Sequence, residues 1–138
     1  MVIVVWGWIS SNKTDIFDKN LRESFVPILS DEICENTDDK FNRTVTLCAG
    51  YLDSQGSHCF GDCGGPLLCP VDIGNGKYKF VQYGIVSYGY ECVMLGKPGF
   101  YTRLKLFCDW IEKNSVTENY KKNIKKKIII IKMRNHKK

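Results

Sequence analysis

One short run holds the residues best suited to chemistry: Gly61-Asp62-Cys63-Gly64-Gly65-Pro66. Cysteine is a nucleophile when its thiol is activated by a base or by its surroundings. Glycine lets the backbone take φ > 0 and approach another group closely. Successive N–H groups in such a turn can converge on one point and hold an anion. Acyl transfer needs that arrangement as an oxyanion hole. The run is too rich in glycine for a helix or a central strand, so it reads as a turn presenting Cys63 beside donors such as Gly61 N–H.

Further segments stand in order around it. Trp6-Gly7-Trp8, Leu47-Cys48-Ala49-Gly50-Tyr51, Gly84-Ile85-Val86-Ser87-Tyr88-Gly89, Lys97-Pro98-Gly99-Phe100-Tyr101-Thr102-Arg103 and Asp109-Trp110-Ile111 keep that order from Trp6 to Ile111. They resemble G-W-G, C-A-G, G-I-V-S-W-G, K-P-G-V-Y-T-R and the terminal W-I of the trypsin/chymotrypsin-like serine peptidases. Gly61–Pro66 resembles the G-D-S-G-G-P signature of that family, with Cys63 where the family has its catalytic serine. One such run alone is weak; five more in register make a family resemblance.

The resemblance implies roles residue by residue. Cys63 takes the nucleophile position and Gly61 contributes to the oxyanion hole. Asp62 matches the acid that pairs with the amine freed on zymogen cleavage. No I-V-G-G segment stands here to supply that amine, so Asp62 is expected to be unpaired or solvated. Ser57 matches the base of the primary specificity pocket, and Gly89 and Gly99 match its walls. Ser87 matches a residue that supports the substrate backbone. Such a lining implies a preference for a large apolar side chain, with His58 and Phe60 placed to narrow the pocket. The family mechanism also needs a histidine base and an orienting aspartate. The segments that carry them in the family are not present, and the two histidines, His58 and His136, stand elsewhere. His58 is expected to be a pocket-wall or surface side chain.

Seven cysteines in 138 residues point to an oxidising compartment. Spacing leaves their connectivity open. The resemblance implies bridges Cys34–Cys48 and Cys59–Cys92. It leaves Cys63, Cys69 and Cys108 as thiols; Cys69 matches a cysteine whose partner would lie just upstream of Trp6. No Cys-x-x-Cys pair or adjacent histidine gives zinc spacing, so no metal and no cofactor is expected. Asn12-Lys13-Thr14 and Asn42-Arg43-Thr44 are N-x-T sequons, which matter only in a secreted chain.

Charge is unevenly spread. Residues 1–120 hold 11 Lys/Arg and 15 Asp/Glu, whereas residues 121–138 hold nine Lys/Arg and no acid. Residues 1–120 are therefore mildly acidic, and the basicity behind the net charge of +5 lies in the tail alone. Residues 116–138 read as a disordered basic extension, and residues 1–115 as a partial peptidase domain. The Ile128–Ile131 run is too short to span a bilayer. No basic n-region or cleavage site marks a signal peptide, which in a cysteine-rich chain leads us to expect an N-terminally incomplete, secreted protein.

The elements that must position Cys63 are short. Strands are predicted over Val2–Trp8, Leu21–Leu29, Val45–Ala49, Pro66–Val71, Lys79–Ser87 and Gly99–Leu104. Ser10–Lys19, Asp38–Asn42 and Tyr51–Gly65 read as loops. Ser30 can cap a short helix carrying Cys34, with Asp31 and Glu32 favourable in its first turn. Gly74-Asn75-Gly76 signals a hairpin, and Leu106–Asn114 reads as a terminal helix. The pattern fits an all-β barrel or sandwich. The resemblance implies the C-terminal six-stranded Greek-key barrel of the chymotrypsin-like fold plus its helix.

Three functions follow as expectations. The first is a non-catalytic homologue of a serine-type endopeptidase that binds protein or peptide, or that docks the missing first barrel on an apolar face. The second is an endopeptidase with Cys63 as nucleophile, completed by an upstream barrel. The third is a module whose basic tail binds an anionic surface. Neither nucleic-acid binding nor a membrane span is expected.

Overall fold

The computed structural model describes residues 1–5, 7, 20–53, 58–90 and 95–114. Trp6, Trp8, Ser57, Cys92, His136, the Ser10–Lys19 loop and the basic tail lie outside the described residues. Two units emerge, Met1–Arg103 and Leu104–Lys138.

In the first unit, six strands form one antiparallel sheet: β1 Val2–Val5, β2 Arg22–Phe25, β3 Thr46–Ala49, β4 Pro66–Asp72, β5 Tyr78–Gly89 and β6 Gly99–Arg103. Their order across the sheet is β2-β1-β4-β5-β6-β3. The predicted Leu21–Leu29 strand is regular only as far as Phe25, for a structural reason. Beyond β2 the chain leaves β1 and crosses to the other edge, where Ile28 bridges Ala49 of β3. Leu29 N–H donates to Cys48 O at 3.1 Å and Gly50 N–H to Pro27 O at 3.0 Å. The two edges are thereby joined and the sheet closes on itself, the barrel that the sequence leads one to expect.

Strand alternation fills both faces. Leu47 and Ala49 of β3, Tyr101 of β6, Val86 of β5, Leu67 of β4 and Ile3 of β1 share one buried cluster with Val26. The intervening residues Cys48 and Phe100 point the other way and pack with Cys34 and Phe41. Those partners belong to helix α1, Asp31–Thr37, and the turn after it. Ser30 caps the helix as predicted, its hydroxyl accepting from Ile33 N–H at 3.3 Å. A disulfide joins Cys34 of α1 to Cys48 of β3. Arg103 adds a second tie: it donates to Thr46 O at 2.9 Å and to Asp31 Oδ1 at 2.6 Å.

The β4–β5 hairpin turns at Gly74-Asn75-Gly76, and all three residues take positive φ. Lys77 N–H closes it onto Gly74 O at 3.1 Å. In the second unit, a 3-10 stretch Leu104–Phe107 runs into helix α2, Cys108–Asn114. The buried Cys108 thiol donates back to Leu104 O at 3.6 Å. Among the described residues, no helix is long and apolar enough to cross a membrane.

Candidate active site

Cys63 is exposed on the turn that feeds β4. Gly61 at φ 93° and Gly64 at φ 87° take conformations that side-chain-bearing residues rarely adopt. Asp62 N–H donates to Cys59 O at 3.2 Å, and Gly65 N–H donates to Asp62 O at 2.9 Å, winding the turn tightly. Gly64 N–H reaches Val86 O and Val86 N–H returns to Gly65 O, each at 2.9 Å, so the turn is pinned to β5. Among the described residues, nothing accepts from the N–H of Gly61 or of Cys63.

The β5 strand changes register where it passes Cys63. Val86 lies opposite Tyr101, yet Tyr88 lies opposite Phe100, so Ser87 is an extra residue in a bulge. Bulges re-aim groups beside sites. Here the Ser87 carbonyl accepts from the Cys63 thiol at 3.4 Å. A cavity of about 220 Å³ opens beside this pair, lined among others by His58, Phe60, Gly61, Ser87 and Gly89. Gly99, buried, pairs with Gly89 across the β5–β6 ladder. Gly61, Cys63, Ser87 and Gly89 thus meet at one cavity, and Gly99 supports it from the next strand.

His58 is only 6% exposed. Its Nδ1 lies 3.4 Å from Tyr101 Oη, and its ring meets the Tyr101 ring edge-on at 5.4 Å. A Cβ on Gly89 would lie 3.0 Å from His58 Nε2, so only glycine at 89 leaves the imidazole this room. Burial drives the His58 pKa down to about 4, against the smaller opposing effect of a backbone hydrogen bond with Tyr88. At neutral pH the cavity wall therefore carries a neutral imidazole.

Asp62 turns away from the cavity into the protein and is 5% exposed. Its Oδ2 accepts from Cys59 N–H at 2.6 Å, whereas the buried Oδ1 has no partner. Burial raises its pKa, and the Cys59 hydrogen bond only partly opposes that. Gly7 closes over Oδ1: a Cβ there would sit 2.1 Å from it. Gly7→Ala is accordingly expected to destabilise the fold by about 2 kcal/mol, within the range for overpacking. Denaturant titration checks this, with a midpoint equal to that of the unsubstituted protein as the contrary outcome.

Cys59 is disulfide-bonded. Its implied partner Cys92 lies outside the described residues, as does Ser57. Among the described residues no cluster of His, Cys, Asp or Glu could hold a metal ion.

Sequence reasoning missed the polar group behind the cavity rim. Asp38, read simply as loop, is buried and accepts from Tyr90 Oη at 3.0 Å and from Lys40 N–H at 3.1 Å. Tyr88 feels the same carboxylate. Burial alone would raise the Asp38 pKa, but these donors outweigh it and hold the carboxyl below its ordinary range. Burial first, and Asp38 second, push Tyr88 up to about 12. Tyr88 stacks on Phe100 at 4.7 Å, and Lys97 Nζ sits 4.5 Å over the Tyr90 ring while donating to Thr37 O. The Asp38 carboxylate therefore fixes Tyr90, while stacking on Phe100 holds Tyr88.

Comparison with known proteins agrees with this architecture. The family model described as Trypsin matches residues 1–111. The chain is 38% identical over 112 residues to the hepatocyte growth factor activator serine protease of Homo sapiens, covering 79% of this chain and 16% of that protein. It is 38% identical over 114 residues to the proclotting enzyme of Tachypleus tridentatus, covering 81% of this chain and 29% of that enzyme. The venom serine protease Bi-VSP of Bombus ignitus is also 38% identical, over 109 residues, with 76% of this chain and 29% of the relative covered. The chain thus spans less than a third of the length of these relatives. A closed antiparallel barrel, the Cys34–Cys48 bridge, a glycine turn pinned to a bulged strand and a family match over residues 1–111 lead to one conclusion: this chain belongs to the trypsin family of serine peptidases.

Proposed function

We propose that this chain is the second-barrel portion of a serine-type endopeptidase homologue, and that by itself it binds protein or peptide beside Cys63 without cleaving it. The contact from the Cys63 thiol to the Ser87 carbonyl carries this reading. A carbonyl accepts a hydrogen bond but takes no proton, so it cannot serve as the general base that a nucleophile needs. His58, which shares the cavity, is turned to Tyr101 and is too weak a base at a pKa of about 4. The lining favours a large apolar side chain, with His58 and Phe60 narrowing the cavity. The disulfides support an extracellular setting.

Peptide amides with Phe, Tyr or Leu before the reporter group test the reading. Neither the 138-residue chain nor its Cys63→Ser variant is expected to turn them over. Turnover that disappears in Cys63→Ala would overturn it.

A second reading is favoured by one observation: the exposed thiol stands beside two N–H groups, of Gly61 and Cys63, with no acceptor among the described residues. A histidine supplied from an upstream barrel would make Cys63 the nucleophile of an endopeptidase. Under that reading, adding such a barrel in trans produces turnover that Cys63→Ala abolishes.

A further inference from the structure

The Asn42-Arg43-Thr44 sequon lies on the exposed turn between α1 and β3, away from any role proposed above. Its side chains are ordered by their own hydrogen bonds. Thr44 N–H donates to the Asn42 side chain at 2.9 Å, and Thr44 Oγ1 donates to the same atom at 2.6 Å. A backbone N–H can only donate, so the atom that accepts it must be the amide oxygen Oδ1. This settles which way round the amide sits. The opposite atom, Nδ2, makes no hydrogen bond among the described residues.

The rest of the turn holds that presentation. The Asn42 carbonyl accepts from Val45 N–H at 3.1 Å and from Thr46 N–H at 2.8 Å, which fixes the backbone under the amide. Arg43, the middle residue, bends back to α1, where its guanidinium grips the Glu35 carboxylate with Nε at 2.7 Å. It leaves the Asn42 amide uncovered. The sequon supplies the acceptor asparagine and the hydroxyl two residues on, and the exposed turn leaves room in the folded chain for a bulky glycan at Asn42.

We infer that Asn42 is an N-glycosylation site whose Nδ2 carries an oligosaccharide. The donor class is a lipid-pyrophosphate-linked oligosaccharide of the secretory pathway. The Nδ2–C1 bond forms as the bond from C1 to the pyrophosphate oxygen breaks. The lipid pyrophosphate leaves with that electron pair, and Nδ2 gives up one proton. No oxidant or reductant enters. A bulky glycan at Asn42 also assigns the α1–β3 turn to solvent, so a protein partner docks elsewhere.

The inference rests on the secretory setting proposed above, and the experiment separates the two. The chain, cysteines intact, is placed behind a cleavable secretory leader and expressed in animal cells. Medium and cell lysate are both collected. Glycosidase release in heavy-oxygen water converts an occupied Asn42 to labelled Asp, read by mass spectrometry of the peptide that contains it. The expected result is label at residue 42 in the unsubstituted chain and in Thr44→Ser. Asn42→Gln and Thr44→Ala are expected to lose it and to migrate faster by one glycan. Residue 42 unlabelled in the unsubstituted chain from both fractions overturns the inference. Transfer precedes folding and export, so a poorly secreted variant is still scored from the lysate. Absence of the protein from the medium of its native source, with Asn42 labelled in this experiment, overturns the extracellular reading instead.

Discussion

Changing Cys34 and Cys48 together to alanine is expected to lower the unfolding free energy by about 3 kcal/mol. The bridge closes a loop with a sequence separation of 14, and removing it returns that freedom to the unfolded chain. Both sulfurs are fully buried, so the substitution also thins the packing of Phe41 and Phe100. The loss falls where α1 is held to β3. Arg103, partly exposed, is too weak a tie to replace it. The double variant is preferable to a reductant because Cys59 is also disulfide-bonded and would open at the same time. Guanidinium unfolding of the two proteins gives the comparison. A lower unfolding free energy, with a midpoint that falls and a slope that rises as the unfolded chain expands, supports the argument. An unchanged midpoint would mean that the buried cluster holds α1 without the bridge.

Acid is expected to weaken the fold through His58 by an amount of the same order. The folded-state pKa is depressed to about 4 by burial, while an unfolded histidine titrates near 6.5. Between those values the unfolded chain takes up a proton that the native chain refuses. Stability therefore falls as pH drops from about 6.5 to about 4 and levels off below, by about 3 kcal/mol in all. Asp62 acts in the opposite sense. Its pKa is raised by burial, so protonating it at low pH relieves a buried carboxylate and adds stability. Urea unfolding across this pH range should show a steeper acid loss in Asp62→Asn than in the unsubstituted chain. His58→Phe should remove most of the loss, since its ring keeps the edge-on contact with Tyr101 without a titrating nitrogen. An equal acid loss in His58→Phe would mean that the imidazole is reached by water.

Several parts of this architecture were legible in the chain because they are local. The apolar run Val2–Trp8 reads as a buried strand and Val2–Val5 forms one, Ser30 before two acids can cap a helix and does, and Gly74-Asn75-Gly76 signals the hairpin that it makes. The Gly61–Pro66 turn belongs to the same class, since its glycines announce positive φ without reference to the rest of the molecule. The segment resemblance supplied the barrel, and the closed six-stranded sheet agrees with it. Strand ends were less legible. Leu21–Leu29 reads as one strand because its pattern runs on, yet the chain changes partners after Phe25, and only strands far away in sequence decide where.

The site divides along the same line. That a thiol stands on a glycine turn beside Ser87 and Gly89 was set by residue identity, spacing and family resemblance. What the thiol faces was not. The Ser87 bulge arises from the mismatch between β5 and β6, a property of two strands together. The His58 imidazole turns to Tyr101, 43 residues away, and the Asp38 carboxylate gathers Tyr90 from 52 residues away. Asp62 loses its solvent because Gly7 closes over it. Burial and hydrogen bonding are sums over neighbours, and these neighbours are brought together by the barrel. The sequence by itself determined the family, the turn and the identity of the group presented on it. Only the tertiary structure decided the protonation of His58, the burial of Asp62 and the partner of Cys63, because each depends on contacts that no local stretch of chain contains.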